Sequence, residues 1–191
     1  FDVGARIIAP FLWRKKIKTV DLLILTHPNS DHLNGLIYLA DHFNVKTLWT
    51  NDEPRNTLGY QNLMKVCANR GILSPPYAHM AREYRISDVQ LELLYPPQNF
   101  MDHQESDRWR NTNNNSLVVK VSYGDASFLF TGDLMAPAEM ELVGLAGSRL
   151  ASKVLIAPHH GSRSSSSQQF LEKVDPEVVI VSCSRNSRYK F

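Results

Sequence analysis

The chain has 191 residues, 43% of them hydrophobic, which suits one globular domain with a sizeable core and excludes a disordered or fibrous segment. Apolar runs such as Leu22 to Leu25 and Val178 to Val181 are of strand length, and none approaches the ~20 residues that a bilayer-spanning helix needs. A net charge of +2 is too weak a bias to mark a nucleic-acid binder, and the two distant cysteines, Cys67 and Cys183, form neither a disulfide framework nor a zinc motif; both read as small buried side chains.

The opening residues lack the basic flank, apolar stretch and small-residue cleavage site of a signal peptide and are expected to be the middle of something longer. The run VDLLILT (20–26) predicts a buried strand that breaks into Pro28, Asn29 and Ser30. A helix follows, because Leu33, Leu36, Ile37, Leu39 and Ala40 recur at three-and-four spacing. A short strand over Thr47 to Thr50 precedes a helix from about Tyr60 to Arg70, with Gly71 as a left-handed cap. Alternation at Val89, Leu91, Leu93 and Tyr95 predicts a further strand. Residues 96–114 have no apolar periodicity and read as a long loop, functional or mobile. Residues 117–121 and 126–131 form a hairpin around Tyr123, Gly124 and Asp125, and a strand (154–157), a helix (168–174) and a strand (177–182) complete the series. Hairpins mixed with helical crossovers indicate an α/β layered fold with some antiparallel strands.

Chemistry concentrates at three strand ends. THPNSDH (26–32) puts His27, Asp31 and His32 within six residues of one another; imidazole and carboxylate suit zinc and manganese. Alone, the tract also fits a turn in which Asp31 caps the next helix. FTGD (130–133) brings Asp133 to the tip of a second strand, and IAPHHGS (156–162) ends a third with His159 and His160. Adjacent side chains on an extended segment point opposite ways, so this pair divides into one ligand and one contact to substrate or to a ligand. Three such strand ends together predict a metal site rather than three independent turns.

Ser162, Arg163 and the run Ser164 to Ser167 follow directly. Hydroxyls, backbone N–H groups and a guanidinium at a helix start make an anion cradle, and the same serines equally fit a plain helix cap. Two basic clusters, Arg14, Lys15, Lys16 and Lys18, then Arg108 and Arg110 beside Trp109, fit either a solvated face or contacts along a nucleic-acid backbone, with Trp109 stacked on a base.

THPNSDH, NNNSLVVKVSYGDASFLFTGD and PHHGSRSSSS resemble the motifs of the metallo-β-lactamase superfamily, and within it the carboxyl-terminal hydrolase domain of ComEC-type competence proteins, which import DNA across bacterial membranes. The likeness runs over nearly the whole chain, and PHHGS is its most specific part. It implies a single hydrolase domain over residues 1–191, an αββα sandwich whose first strands and last elements lie outside these residues. It also implies one or two divalent metal ions, zinc or manganese, on two unequal half-sites. Asp31, His32 and His160 with a bridging Asp133 form the better supplied one; His27, Asn29 and Asn115, with a share of Asp133, form the weaker. Domains of this kind usually carry an aspartate where Asn29 stands, so an anionic ligand is lost there and a second ion is held weakly.

The reaction so implied is hydrolysis of a DNA phosphodiester by a metal-activated water, with Asp31 accepting a proton, His159 serving catalysis or substrate, and Ser162 and Arg163 contacting phosphate. The implied partners are DNA, in single-stranded form, and an upstream transmembrane channel portion of the same protein. The implied setting is the bacterial inner membrane, with this domain soluble and extracytoplasmic, degrading the strand that is not imported. Two other readings stay open: hydrolysis of a small ester, thioester or lactam on the same scaffold, and a metal-poor domain that only binds DNA or a partner.

Overall fold

A computed structural model describes residues 2–103 and 106–183. The chain divides into two compact units, residues 1–80 and 81–191, each with its own apolar core.

In the first unit a π-helical turn, Gly4–Ile8, runs into α1 (Ala9–Arg14) and is followed by β1 (Thr19–Ile24), α2 (Ser30–His42), β2 (Asn44–Trp49) and α3 (Leu58–Arg70). The helical start was not legible from periodicity. β1 and β2 pair in parallel from Thr19↔Asn44 to Ile24↔Trp49, with α2 as the crossover. The three-and-four stripe of α2 is what buries it: Leu33, Leu39 and Ala40 join Leu23, Leu25, Val45, Leu48, Leu63 and Cys67 in one core. The opening turn crosses α2 so closely that a Cβ on Gly4 would meet the Gly35 carbonyl oxygen. Thr57 caps α3 by accepting from the Tyr60 N–H at 3.4 Å, and Gly71 ends it at φ 65°, ψ 28°, the expected left-handed cap. Burial pushes the Cys67 thiol pKa up, in keeping with a small apolar role. Cys183 is exposed, against the expectation that both cysteines are buried.

The second unit is a six-stranded sheet in the order β3 (Glu83–Ile86), β4 (Val89–Tyr95), β5 (Val118–Tyr123), β6 (Ala126–Phe130), β7 (Val154–Ile156) and β8 (Val178–Ile180). β3 to β6 are antiparallel neighbours, and β6, β7 and β8 run parallel. Helices α4 (Ala136–Ala146) and α5 (Gln168–Val174) supply the crossovers after β6 and β7. They bury Leu142 and Phe170 against Tyr95, Val118, Leu129 and Leu155. β3 and α4 went unseen in the sequence. β3 turns into β4 over two polar residues, Ser87 and Asp88, and the sequence of α4, APAEMELVGLA, is apolar on too many faces for its buried stripe to stand out.

The loop 96–114 is ordered where it is described. Phe100 is fully buried within the 3₁₀ turn Phe100–His103. Arg110 is buried too, donating to Asp107 Oδ2 at 2.9 Å, to Tyr95 Oη at 3.3 Å and to the Glu141 carboxylate. Burial works to lower the Arg110 pKa, but the bond to Asp107, then the electrostatics of Tyr95 and of Glu141, outweigh it and raise the value. Burial, then the 2.6 Å bond to Glu141, push the Tyr95 phenol up. No helix among the described residues is long and apolar enough to cross a membrane.

Candidate functional site

In the first unit β1 continues one residue past its end, Leu25 N–H donating to Trp49 O at 2.9 Å, before the chain leaves the sheet. Thr26 Oγ1 then lies 3.1 Å from His27 Nδ1 and 3.4 Å from His32 Nδ1. The two rings meet with centroids 4.2 Å apart. One hydroxyl therefore orients both imidazoles through their Nδ1 atoms. Asn29 is the N-cap of α2 through its backbone, its carbonyl accepting from His32 N–H at 3.1 Å and Leu33 N–H at 3.0 Å. Its side chain makes no cap bond, and neither does Asp31 serve as the cap. Asp31 sits in the first turn of α2, where the helix dipole favours a carboxylate, with Oδ2 3.8 Å from His32 Nε2.

In the second unit the end of β6 is tied down from two sides. Thr131 Oγ1 donates to Ile156 O at 2.9 Å, and Asp133 N–H donates to Ser116 Oγ at 3.1 Å. Asn114 Oδ1 accepts from Met135 N–H at 2.9 Å, so the NNNS segment clamps the turn that carries Asp133. Asn115 is fully buried in that segment, its N–H donating to Asn111 O at 3.0 Å.

His159 and His160 depart from the expected extended conformation. Both are left-handed, at φ 50° and 57°, a strained state for two consecutive non-glycine residues. The rings nevertheless have different neighbours. His160 Nδ1 donates to Ser182 O at 2.9 Å, and its Nε2 is 3.6 Å from Asp133 Oδ1. His159 Nδ1 lies 3.2 Å from Ser164 Oγ and its Nε2 3.4 Å from Asn113 Nδ2. Asn113 and Ser164 were not singled out as individual residues from the sequence; their only signal was membership of polar runs.

The serine run is largely structural. Ser166 and Ser167 N–H groups donate to the two carboxylate oxygens of fully buried Glu139 at 2.6 and 2.8 Å. Ser165 Oγ is bonded to the Pro158 and Ser162 carbonyls at 2.9 and 2.7 Å. The two amides just ahead of α5 already hold a protein carboxylate, so the Ser166 and Ser167 N–H groups do not cradle a substrate anion. No serine side chain caps α5 either. Ser162, whose Oγ is 3.0 Å from Ser164 Oγ, and exposed Arg163 are what remains of that cradle. The second basic cluster is corrected as well: Arg110 is locked in ion pairs, and its guanidinium lies 4.5 Å over the Trp109 ring, which packs against the core.

Asp31, His32, Asp133 and His160 each offer one donor atom of the type that divalent zinc or manganese takes. Two ligands ~2.1 Å from one tetrahedral ion lie about 3.4 Å apart. The His160–Asp133 separation of 3.6 Å in the second unit and the His32–Asp31 separation of 3.8 Å in the first are each of that size, so each pair fits two ligands of one ion.

The sequence pattern of the Metallo-beta-lactamase superfamily matches residues 1–65 and 72–185. The chain belongs to this superfamily. Similar curated proteins include ComE operon protein 3 of Bacillus subtilis, 30% identical over 99% of this chain and 23% of its own length. Competence protein ComA of Neisseria gonorrhoeae is 31% identical over 96% of this chain and 23% of its length. The chain thus spans under a quarter of these relatives. Among solved structures, a metallo hydrolase from Ignicoccus hospitalis matches with a TM-score of 0.51 at 18% identity, covering 87% of this chain and 64% of that one. The diiron β-hydroxylase CmlA from Streptomyces venezuelae matches with a TM-score of 0.51 at 13% identity, covering 85% and 35%. The likeness to these two structures is one of fold, and it agrees with the superfamily that the sequence pattern shows.

Proposed function

We propose that this chain is a metal-dependent nuclease domain that cleaves DNA phosphodiesters, single-stranded DNA in particular, during competence. By likeness to the superfamily's motifs, Asp31, His32, Asp133 and His160 would hold the principal divalent ion, with His27 and more weakly Asn29 and Asn115 for a second, in a single hydrolase domain over residues 1–191. The observation that carries the reading is the Asp133–His160 pair, held at ligand spacing with the His160 ring fixed through its other nitrogen by a backbone carbonyl. The names of the competence relatives support the setting.

A bound divalent ion lowers the pKa of water toward neutrality and stabilises negative charge on the attacked group. The protein's own residues do the rest. Asp31, with a half-exposed carboxylate, accepts the proton of the attacking water. His159, held by Asn113 and Ser164, contacts the scissile phosphate, and Ser162 and Arg163 bind its non-bridging oxygens. By likeness to the competence proteins, the domain is joined to an upstream transmembrane channel portion, sits outside the cytoplasm at the bacterial inner membrane, and degrades the strand left behind.

The test is incubation with labelled single-stranded and duplex DNA in the presence of manganese, zinc or chelator. Fragments appear with metal, disappear with chelator, and are absent for folded Asp133→Ala. Metal-loaded protein that cleaves a thioester or lactam but no DNA would refute the proposal.

A further inference from the structure

We propose that the first unit carries a separate nucleotide-binding pocket, built on Trp13, Lys18 and Arg70, that grips single-stranded nucleic acid away from the metal ligands. A cavity of about 600 Å³ opens where the C-terminal ends of α2 and α3 meet the starts of β1 and β2. Its floor is apolar, formed by buried Phe43, Val45 and Ile72. Trp13 is its wall, lying on Phe43 with ring centroids 5.7 Å apart and planes at 17°, while 49% of the residue stays exposed. A half-exposed indole whose inner face is already backed by another ring is a stacking platform for a planar ligand.

The rim adds polar recognition. Asn44 Nδ2 donates to Thr19 Oγ1 at 3.3 Å, which leaves its carbonyl oxygen to accept from a base edge, and Asn69 offers a second amide. Lys18 and Arg70 are exposed on the rim and form no ion pair with a described residue. Arg70 also complements the carbonyl end of α3, and Lys18, which stands before a strand, lines the cavity together with His42 and Phe43 at the carbonyl end of α2. Arg14, Lys15 and Lys16, all exposed, extend the positive charge along the turn between Trp13 and Lys18. An apolar slot, an aromatic platform, amides and flanking cations match a base with its phosphates, and the base must be unpaired to enter.

Lys18 precedes β1 and Asn44 begins β2, whereas His27, Asp31 and His32 follow β1. The six residues of β1 alone separate the two ends by about 20 Å at ~3.3 Å per residue. Only a strand of several nucleotides reaches both. That consequence rests on the nuclease reading above; the pocket's binding does not.

The experiment measures anisotropy of a fluorescein-labelled oligo(dT) of about 20 nucleotides in EDTA, so that nothing is cleaved, with circular dichroism to confirm that each variant is folded. Trp13→Ala weakens binding about tenfold, as loss of one stacked base does. Lys18→Ala and Arg70→Ala each lower the slope of log K against log salt by about 0.7, the share of one phosphate contact on a single strand. Hydrolysis of bis(p-nitrophenyl) phosphate, too short to reach the pocket, stays at the wild-type rate in all three. Wild-type affinity in both Trp13→Ala and the double reversal Lys18→Glu, Arg70→Glu overturns the proposal. So does an equal loss for a blunt duplex in Trp13→Ala, because a paired base does not stack on the indole. An oligonucleotide that binds as described yet is not cut when metal is added overturns the nuclease reading and supports this one.

Discussion

Replacing Glu139 by alanine removes the carboxylate that closes the N-terminus of α5. Its oxygens accept from the Ser166 and Ser167 N–H groups at 2.6 and 2.8 Å, and the residue is fully buried. A hydrogen bond to a charged group contributes ~1.5–3 kcal/mol, and a negative charge at a helix N-terminus adds ~0.3–1 kcal/mol. Water reaching the part-buried amides offsets some of this, so the net cost is about 3 to 4 kcal/mol. For a chain of this length each kcal/mol moves Tm by about 2–4 °C, which puts the expected drop on the order of 10 °C. Glu139→Gln keeps an acceptor for one N–H and loses roughly half as much. Thermal unfolding followed by circular dichroism reads both. Function follows, because the same turn carries Ser164 to within 3.2 Å of His159 Nδ1. Phosphodiester hydrolysis well below Tm is therefore expected to fall in step with the lost bond. A Glu139→Ala protein that melts within about 2 °C of wild type would show that the helix start is capped by something else, and the assignment of Glu139 as the cap would be wrong.

Arg110→Ala strips Glu141 and Asp107 of their common cation and is expected to cost about 3 kcal/mol in chemical denaturation while leaving the salt dependence of DNA binding unchanged. A flattened salt dependence with intact stability would return Arg110 to the nucleic-acid surface. His160→Ala is expected to lose metal by elemental analysis, whereas His159→Ala keeps its metal and turns over slowly; a fall in metal content confined to His159→Ala reverses their roles. Asn29→Asp adds an anionic oxygen beside His27, and the manganese concentration for half-maximal rate is expected to fall about tenfold, the equivalent of ~1.4 kcal/mol. An unchanged manganese dependence in folded Asn29→Asp would mean that one ion suffices or that residue 29 takes no part.

Elements whose burial follows a single period were legible from the amino-acid sequence: the stripe of α2, the alternation of β4, the hairpin of β5 and β6 and the glycine end of α3 all lie close to where local physics places them. Local rules failed where conformation answers to distant partners. His159 and His160 look extended in sequence because they follow a strand, yet both turn left-handed, held by Gly132 O on the His159 N–H and by Ser182 O on the His160 ring. The long polar loop looked mobile because its anchors, Phe100 and Arg110, have no periodic companions nearby; the cation's partner Glu141 stands 31 residues on. The serine run misled for the same reason, since the anion it accommodates is Glu139, 27 and 28 residues before the amides it meets. The residue that would have given this away is the acid itself. A glutamate inside so apolar a segment as α4 must either reach solvent or find donors, and with Leu142 and Ala146 buried on the same helix, solvent was the poorer choice.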